Sequence, residues 1–494
     1  MAIPSTDWIG KWGTYTPEKV AVKQLETGVQ ITYRKLHELS NRLIHWFSWE
    51  FGLSPGDRLV ILSENRVEHL ILFSAAQKAG WILVPVNHRL AAHEVAAILR
   101  LARPRRILAE APFHPLIPAN QQTLIQSMED LLDGLPWEET SHLPATVLSL
   151  DDPIFILFTS GTTGLPKGVM YTHRMLLWNS INTSLALTVN ADSRILNVMP
   201  LFHTGGWNVL VTPVLHHGGT VLLSKRFDPE KALQWLAEEH ITLFMGVPTM
   251  LRMLTEQDRF ETTDLRSLLY LIVGGEPMPV PLIQKWHAHQ VLVRQGYGMT
   301  EAGPNLTSLH HSDAIRKAGS IGKPNFYVRI RIVDEQGNDV SPGDAGELWI
   351  QGPMVTPGFW EQPEMARDTF TEGWLRTGDL VRQDEEGDLF VVDRIKNMYI
   401  SGGENVYPAE VERVLRGHPE VVDVAVIGVP DPQWGETGKA YLVVKDAHLR
   451  DAGSIRDYCK ERLAKFKIPR HFAFVDHLPL NDAGKVDRKK LKKL

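Results

Sequence analysis

A single cysteine, Cys459, stands in a chain of 494 residues, so no disulfide can close within it and a cysteine-rich zinc site is excluded. That usage fits a reducing compartment, and the cytoplasm is the expected location. No uninterrupted apolar run reaches the roughly eighteen residues that a membrane-spanning helix needs, so no transmembrane segment is expected. The first residues, Met1-Ala-Ile-Pro-Ser-Thr-Asp7, place no basic region ahead of an apolar stretch, and a secretory leader is not expected either. Charge of one sign is also missing: 52 Lys and Arg stand against 58 Asp and Glu, a formal net charge of −6 with no basic half. Nucleic acid is therefore not expected as a partner, and a small-molecule substrate is. Only Lys489-Lys490-Leu491-Lys492-Lys493-Leu494 is basic and amphipathic. A solvated helix end is the favoured account of it; contact with an anionic membrane surface is left open, as is a homodimer.

What the chain has is length and alternation. At 494 residues with 43% hydrophobic content it exceeds the size at which single cores stop growing, and two or more domains are expected. Thr32 can cap a helix that puts Leu36, Leu39 and Leu43 on one face; 58–62 then reads as a buried strand, 68–79 as a helix ending before Gly80, and 81–86 as a strand. The pattern recurs through strand 220–223, helix 229–239 and strands 241–245 and 268–273. Such alternation predicts βαβ units around parallel sheets. From Val328 the character changes to short alternating segments with a turn at Gln336-Gly337-Asn338-Asp339, which predicts antiparallel sheet or a small β-barrel subdomain. After Asp393 the rest carries its own α+β pattern, with a helix opening at Pro408. The expected organisation is an α/β multidomain chain: a large N-terminal domain over 1–393, a hinge at 394–397 and a small mobile C-terminal domain over 398–494.

Five motifs carry chemistry. Thr159-Ser160-Gly161-Thr162-Thr163-Gly164-Leu165-Pro166-Lys167-Gly168 follows the apolar run 154–158. Its glycines let backbone N–H groups approach an anion, its hydroxyls add donors and Lys167 adds charge, so it is built to hold phosphate. It is not a Walker A motif, because Gly168 leads into Val169-Met170-Tyr171, another strand, rather than a helix. In Gln295-Gly296-Tyr297-Gly298-Met299-Thr300-Glu301, Tyr297 can stack on a base, Thr300 can bond a phosphate oxygen and Glu301 can hold Mg²⁺. Asp379 after a tight turn suits two ribose hydroxyls, and Arg394 can reach the same sugar. Gly402-Gly403 can let a thin ligand pass against the backbone. Lys485 sits in the turn Asn481-Asp482-Ala483-Gly484-Lys485. Taken singly, each has a bland counterpart: a surface turn, an interdomain ion pair, a solubilising lysine.

Their joint order resembles the adenylate-forming superfamily of acyl-CoA synthetases, luciferases and peptide-synthetase adenylation domains, over nearly the whole chain. The resemblance implies ATP, Mg²⁺ and coenzyme A as ligands. It implies that 159–167 is the phosphate loop, with Thr159 and Glu301 at the metal positions. Gly275-Glu276-Pro277 and Tyr297 match the adenine stretch, Thr300 the phosphate contact, and Asp379 with Arg394 the ribose pair. Lys485 matches the catalytic lysine of adenylation, although many relatives carry Thr-Gly-Lys where this chain has Ala483-Gly484-Lys485. Lys396 matches the hinge position, and Trp434 and Arg470 are candidates to touch pantetheine and a CoA phosphate.

The acid is addressed by Pro200-Leu201-Phe202-His203. Adenylation domains for α-amino acids resemble this stretch but carry Asp after Phe, to pair with the ammonium; His203 offers no fixed negative charge, so amino acids are disfavoured. His203 joins Glu301 and Lys485 as a catalytic candidate. Trp207 stands where long-chain relatives can place an aromatic gate, with core packing the equal alternative. Gly205, Gly206, Val247, Gly274, Gly298 and Met299 complete a lining suited to an apolar tail. The leading expectation is a ligase that joins a medium- or long-chain fatty acid to CoA through acyl-AMP. The alternatives are the same chemistry on an aromatic or other organic acid, or acyl transfer to a carrier protein.

Overall fold

The computed structural model describes residues 6–135, 147–160, 166–401, 404–446, 448, 450–481 and 485–494. Backbone contacts divide the chain into two units, one made of Met1–Ile330 with Ile350–Leu375 and the other of Arg331–Trp349 with Arg376–Leu494. Residues 331–349 and 376–394 thus group with the C-terminal residues, whereas the sequence places a boundary at 394–397.

The first unit contains two sheets. In one the strand order is Ile125–Ser127, Arg106–Ala109, Arg58–Leu62, Ile82–Pro85, Pro153–Ser160, Pro166–Thr172, parallel except for the last pair. Its central strands are buried on both faces, which is why they read as continuous apolar runs. Glu68–Ala79 is buried almost throughout, and Gly80 ends it in the left-handed conformation that favours glycine. In the other sheet six parallel strands run Leu292–Tyr297, Tyr270–Val273, Leu243–Gly246, Arg194–Asn197, Thr220–Leu223, Val20–Gln24, flanked by antiparallel strands, Thr307–Leu309 and then Ser320–Pro324 on one side and Gln30–Thr32 on the other. Gly246, Val273 and Gln295 are neighbours in register, so the loops leaving these strands emerge together at one carboxyl edge. In open α/β sheets that edge is where ligands bind.

The strand Trp374–Gln383, which enters the second unit at Arg376, pairs antiparallel with Leu389–Arg394. A small sheet of Glu404–Val406, Tyr399–Ser401, Gly435–Val444 and Val421–Asp431 gains His471–Phe474 as a parallel strand. Helices Pro408–Arg416 and Ala452–Lys460 cover it around Val411, Leu415, Val424, Leu442 and Ile455. Cys459 lies in that core, where burial pushes its thiol up to about 11, so it is an inert packing residue. Among the described residues no helix is long and apolar enough to cross a membrane.

Candidate active site

The phosphate-loop motif joins Pro153–Ser160 to Pro166–Thr172, an antiparallel hairpin in which Thr159 faces Lys167 and Ser160 faces Pro166. The motif therefore connects two strands, as its sequence predicts. Gly161, Thr162, Thr163 and Gly164 lie outside the described residues. A strap at 356–362 runs along the second strand of the hairpin. Met170 N–H donates to the Gly358 carbonyl at 3.2 Å, Trp360 N–H to the Gly168 carbonyl at 2.7 Å, and Gln362 Nε2 to the Pro166 carbonyl at 3.2 Å. Thr356, buried, is the link of consequence. Its Oγ1 lies 2.7 Å from the Met170 carbonyl while its N–H donates to the Glu301 carbonyl at 2.8 Å, so one residue ties the phosphate hairpin to the metal candidate.

Glu301 belongs to the carboxyl edge. Leu292–Tyr297 ends at Tyr297, and Thr300–Ala302 forms a single 3₁₀ turn. Gly298 is required here: a Cβ would stand 2.0 Å from the Pro304 carbonyl oxygen. The next parallel strand delivers Gly274, Gly275 and Glu276, with Met278 N–H held by Gln295 Oε1 at 3.2 Å, and the one after it delivers Val247. Val247, Gly274, Tyr297, Met299, Thr300 and Glu301 are half-buried, and Gly275, Glu276 and Gly298 are exposed, so the edge is open to a ligand. The adenine, phosphate and acid candidates expected here thus converge on neighbouring strand ends.

The acid segment leaves Arg194–Asn197. Asn65 grips it, donating Nδ2 to the Met199 carbonyl at 3.0 Å and accepting Leu201 N–H at Oδ1 at 2.9 Å. His203 opens the short helix Thr204–Asn208, its carbonyl accepting from Gly206 N–H at 3.0 Å, and its ring meets Phe202 edge-on at 4.6 Å. A Cβ on Gly206 would lie 2.1 Å from the Pro200 carbonyl oxygen, so this turn too demands glycine. Trp207 is 0% exposed, with its ring centroid 5.1 Å from Phe155 and 5.6 Å from Phe73. Of its two expectations, gate and core packing, the second describes its surroundings. His69, also packed beside Trp207, is held neutral by burial, its imidazole pushed down to about 3.

In the second unit, Asp379 stands directly across from Arg394, and Arg394 Nε meets Asp379 Oδ1 at 2.8 Å. The proposed ribose pair is thus assembled by strand register. Asp393 holds the following segment: its Oδ1 accepts Arg394 N–H at 2.6 Å, and its Oδ2 accepts Ala409 N–H at 2.7 Å, capping Pro408–Arg416 from outside the helix. Lys396 is exposed on the 3₁₀ turn Ile395–Asn397. Gly402 and Gly403 lie outside the described residues, but Ser401 before them pairs with Gly435. Beside Gly435, Asp431 accepts Trp434 N–H at 2.9 Å and binds Arg470 Nη1 at 3.0 Å, which brings the two CoA candidates together. Lys485 is exposed at the end of its turn, its N–H donating to Asn481 Oδ1 at 3.0 Å.

Among the described residues no group of three or more His, Cys, Asp or Glu could cage a metal ion. Thr159 and Glu301 offer one hydroxyl and one carboxylate, which fits Mg²⁺, an ion that takes one or two protein oxygens and completes its shell with substrate phosphates and water. Thr356, Asn65 and Asp393 are the positioning residues that the sequence does not announce; each is a lone polar side chain that bonds at least one backbone atom distant in sequence.

The AMP-binding enzyme family model matches residues 10–360 and the AMP-binding enzyme C-terminal domain model residues 410–485. The chain belongs to the AMP-binding enzyme family. It is 37% identical to a feruloyl-CoA synthase of Amycolatopsis over 97% of both chains, and 36% identical to the long-chain-fatty-acid–CoA ligase FadD13 of Mycobacterium tuberculosis over 96% of this chain and 95% of that one. The solved structure of o-succinylbenzoate coenzyme A synthetase from Bacillus subtilis, in complex with ATP and magnesium ion, is similar with a TM-score of 0.88 and 32% identity, covering 98% of this chain and 99% of that one.

Proposed function

We propose that this AMP-forming acid–thiol ligase activates an aromatic carboxylic acid with ATP and passes the acyl group to CoA. A carboxylate is a poor electrophile. In the first step its oxygen bonds to the α-phosphorus of ATP as the bond to pyrophosphate breaks, giving a mixed anhydride; in the second a thiol attacks the acyl carbon, AMP departs and the thiol proton is lost to solvent. Mg²⁺, when bound, neutralises phosphate charge. The hairpin 159–167 holds the triphosphate with Thr159 and Lys167, and Thr300 and Glu301 flank it from the carboxyl edge. Asp379 and Arg394 hold the ribose and Tyr297 the base. Lys485 steadies charge on the oxygens at the α-phosphorus, and rotation at Lys396 exchanges the adenylating pose for one in which Gly402, Gly403, Trp434 and Arg470 attend CoA.

The packing of Trp207 supports an aromatic acid. Fully buried against Phe73 and Phe155, its ring fills the space that a long alkyl chain would need beyond the acid segment, which favours a compact ring-bearing acid. Similarity to a feruloyl-CoA synthase points the same way, while similarity to FadD13 keeps a medium- or long-chain fatty acid as the second reading. An ATP–pyrophosphate exchange panel over aryl, arylalkyl and C8–C18 acids, followed by CoA-dependent AMP release, separates the two. Exchange strongest with ring-bearing acids supports the first reading, and exchange rising with alkyl length overturns it. Acyl transfer only to a carrier protein would overturn CoA as acceptor.

A further inference from the structure

A buried polar network joins the acid segment to the metal segment. Asn305, four residues after Glu301, is 8% exposed, and its Nδ2 reaches the carbonyls of Asn208 at 3.3 Å and Val209 at 3.2 Å as well as the hydroxyl of Thr183. Asn208, five residues after His203, is 0% exposed, and its carbonyl also accepts Asn179 Nδ2 at 2.7 Å. Thr183 Oγ1 donates to the Asn179 carbonyl at 2.8 Å, and both side chains project from the helix His173–Leu187. The far side of Asn305 is fixed as well, since its carbonyl accepts Asn325 Nδ2 at 2.9 Å and Leu306 N–H returns to the Tyr297 carbonyl at 3.0 Å. Directional hydrogen bonds thus join the segment that follows His203 to the segment that follows Glu301. A slip of about 1 Å would leave buried amides without partners, which apolar packing would not penalise as sharply.

We propose that Asn305 is a positioning residue for adenylation: by bonding the Asn208 and Val209 carbonyls it fixes the separation between the segment bearing His203 and the segment bearing Thr300 and Glu301, and so the approach of carboxylate to α-phosphorus. The proposal rests on the placement of acid and triphosphate given above. Its signature is a split between half-reactions. Each segment still binds its own ligand when the bridge is cut, so KM for acid and for ATP should hold while the adenylation kcat falls. When acyl-AMP is supplied ready-made, acid and phosphate are already joined, and thioester formation should be spared.

The test compares the full chain with Asn305→Ala, with Thr183→Val, which removes the hydroxyl that receives the Asn305 amide, and with Ser74→Ala. Ser74 is a buried residue whose hydroxyl donates to Ser40 Oγ at 3.0 Å, in a different part of the unit, and serves as a control for general loosening. The expected result for Asn305→Ala is an adenylation kcat lower by about 30- to 100-fold, with both KM values and the thioester step within about threefold. Thr183→Val should show the same split at about 3- to 10-fold, and Ser74→Ala none. Equal loss in both half-reactions, loss confined to KM, or an unchanged kcat in folded Asn305→Ala overturns the proposal. If Asn305→Ala does not fold, full adenylation by Thr183→Val overturns it alone. A wild-type chain without acid-dependent exchange would sink the functional reading and this proposal together, whereas an active wild type with unsplit variants sinks only the role of Asn305.

Discussion

Replacing Asp379 with alanine separates a binding role from a structural one. The carboxylate is 2% exposed and bonded to Arg394 Nε at 2.8 Å. If it also receives the two ribose hydroxyls of ATP, each hydrogen bond to a charged acceptor contributes about 1.5–3 kcal/mol, and losing both costs about 3–6 kcal/mol, or some 10²–10⁴ in kcat/KM for ATP. Arg394 already occupies part of the carboxylate, which places the expectation at the lower end, about 10²-fold. The structural cost is small by comparison. The Arg394 side chain is 47% exposed and regains water when its partner is removed, so no buried charge is left uncompensated. The Asp379 N–H that donates to Thr377 Oγ1 at 3.0 Å belongs to the backbone and survives. AMP release measured against ATP at saturating acid, together with the melting temperature, reads both effects. Asp379→Asn, which keeps one carbonyl acceptor, should fall between wild type and alanine. A kcat/KM for ATP within about threefold of wild type in the folded Asp379→Ala variant would refute the ribose assignment.

Lys485→Ala should lower adenylate formation by about 10²–10³ and spare thioester formation from supplied acyl-AMP; equal loss in the two half-reactions would remove the division of labour assigned to it. Acid should destabilise the first unit through histidines that folding keeps neutral. Burial pushes His69 and His216 down to about 3 and His173 to about 4, so between the ordinary value near 6.5 and about pH 4 the unfolded chain binds more protons than the folded one, and stability falls as pH falls. Each group contributes up to about 1.4 kcal/mol per pH unit in that window. Urea midpoints at pH 7, 6 and 5 should drop progressively, less steeply in His69→Gln; midpoints flat across the series would contradict the buried neutral assignment.

The βαβ frame is legible in the sequence because its strands are apolar on both faces and its helices are punctuated. The helix 68–79 before Gly80 and the strand 220–223 have the same bounds in sequence and structure, while 241–245 predicts a strand that the structure forms two residues later, at Leu243–Gly246. The helix His173–Leu187 is not legible, for a physical reason: its buried residues include Asn179, Ser180, Asn182 and Thr183, so no apolar stripe marks its inner face. The site divides the same way. Clustered motifs such as 159–168 and 295–301 declare themselves by unusual composition. Thr356, Asn65, Asp393 and Asn305 are single polar residues in loops or strand ends, and their meaning arises only when the fold brings remote carbonyls and amides to them. Trp207 shows the limit from the other side, since a tryptophan four residues beyond the acid motif reads equally as gate or core until Phe73 and Phe155 are placed around it.

The shared carboxyl edge also bears on how such a ligase can change its diet. Positions 205–206, 247, 274 and 298–299 sit beyond four different strands, while Lys167 rides on a hairpin of the other sheet and Asp379 on the second unit. On the proposed assignment, the tip after Leu243–Gly246 carries Val247 but none of the nucleotide candidates, so a replacement there can reshape the lining for the organic acid while 275–276, 297 and 300–301 keep their places, and selectivity can drift at that tip while the energy-coupling machinery stays constant.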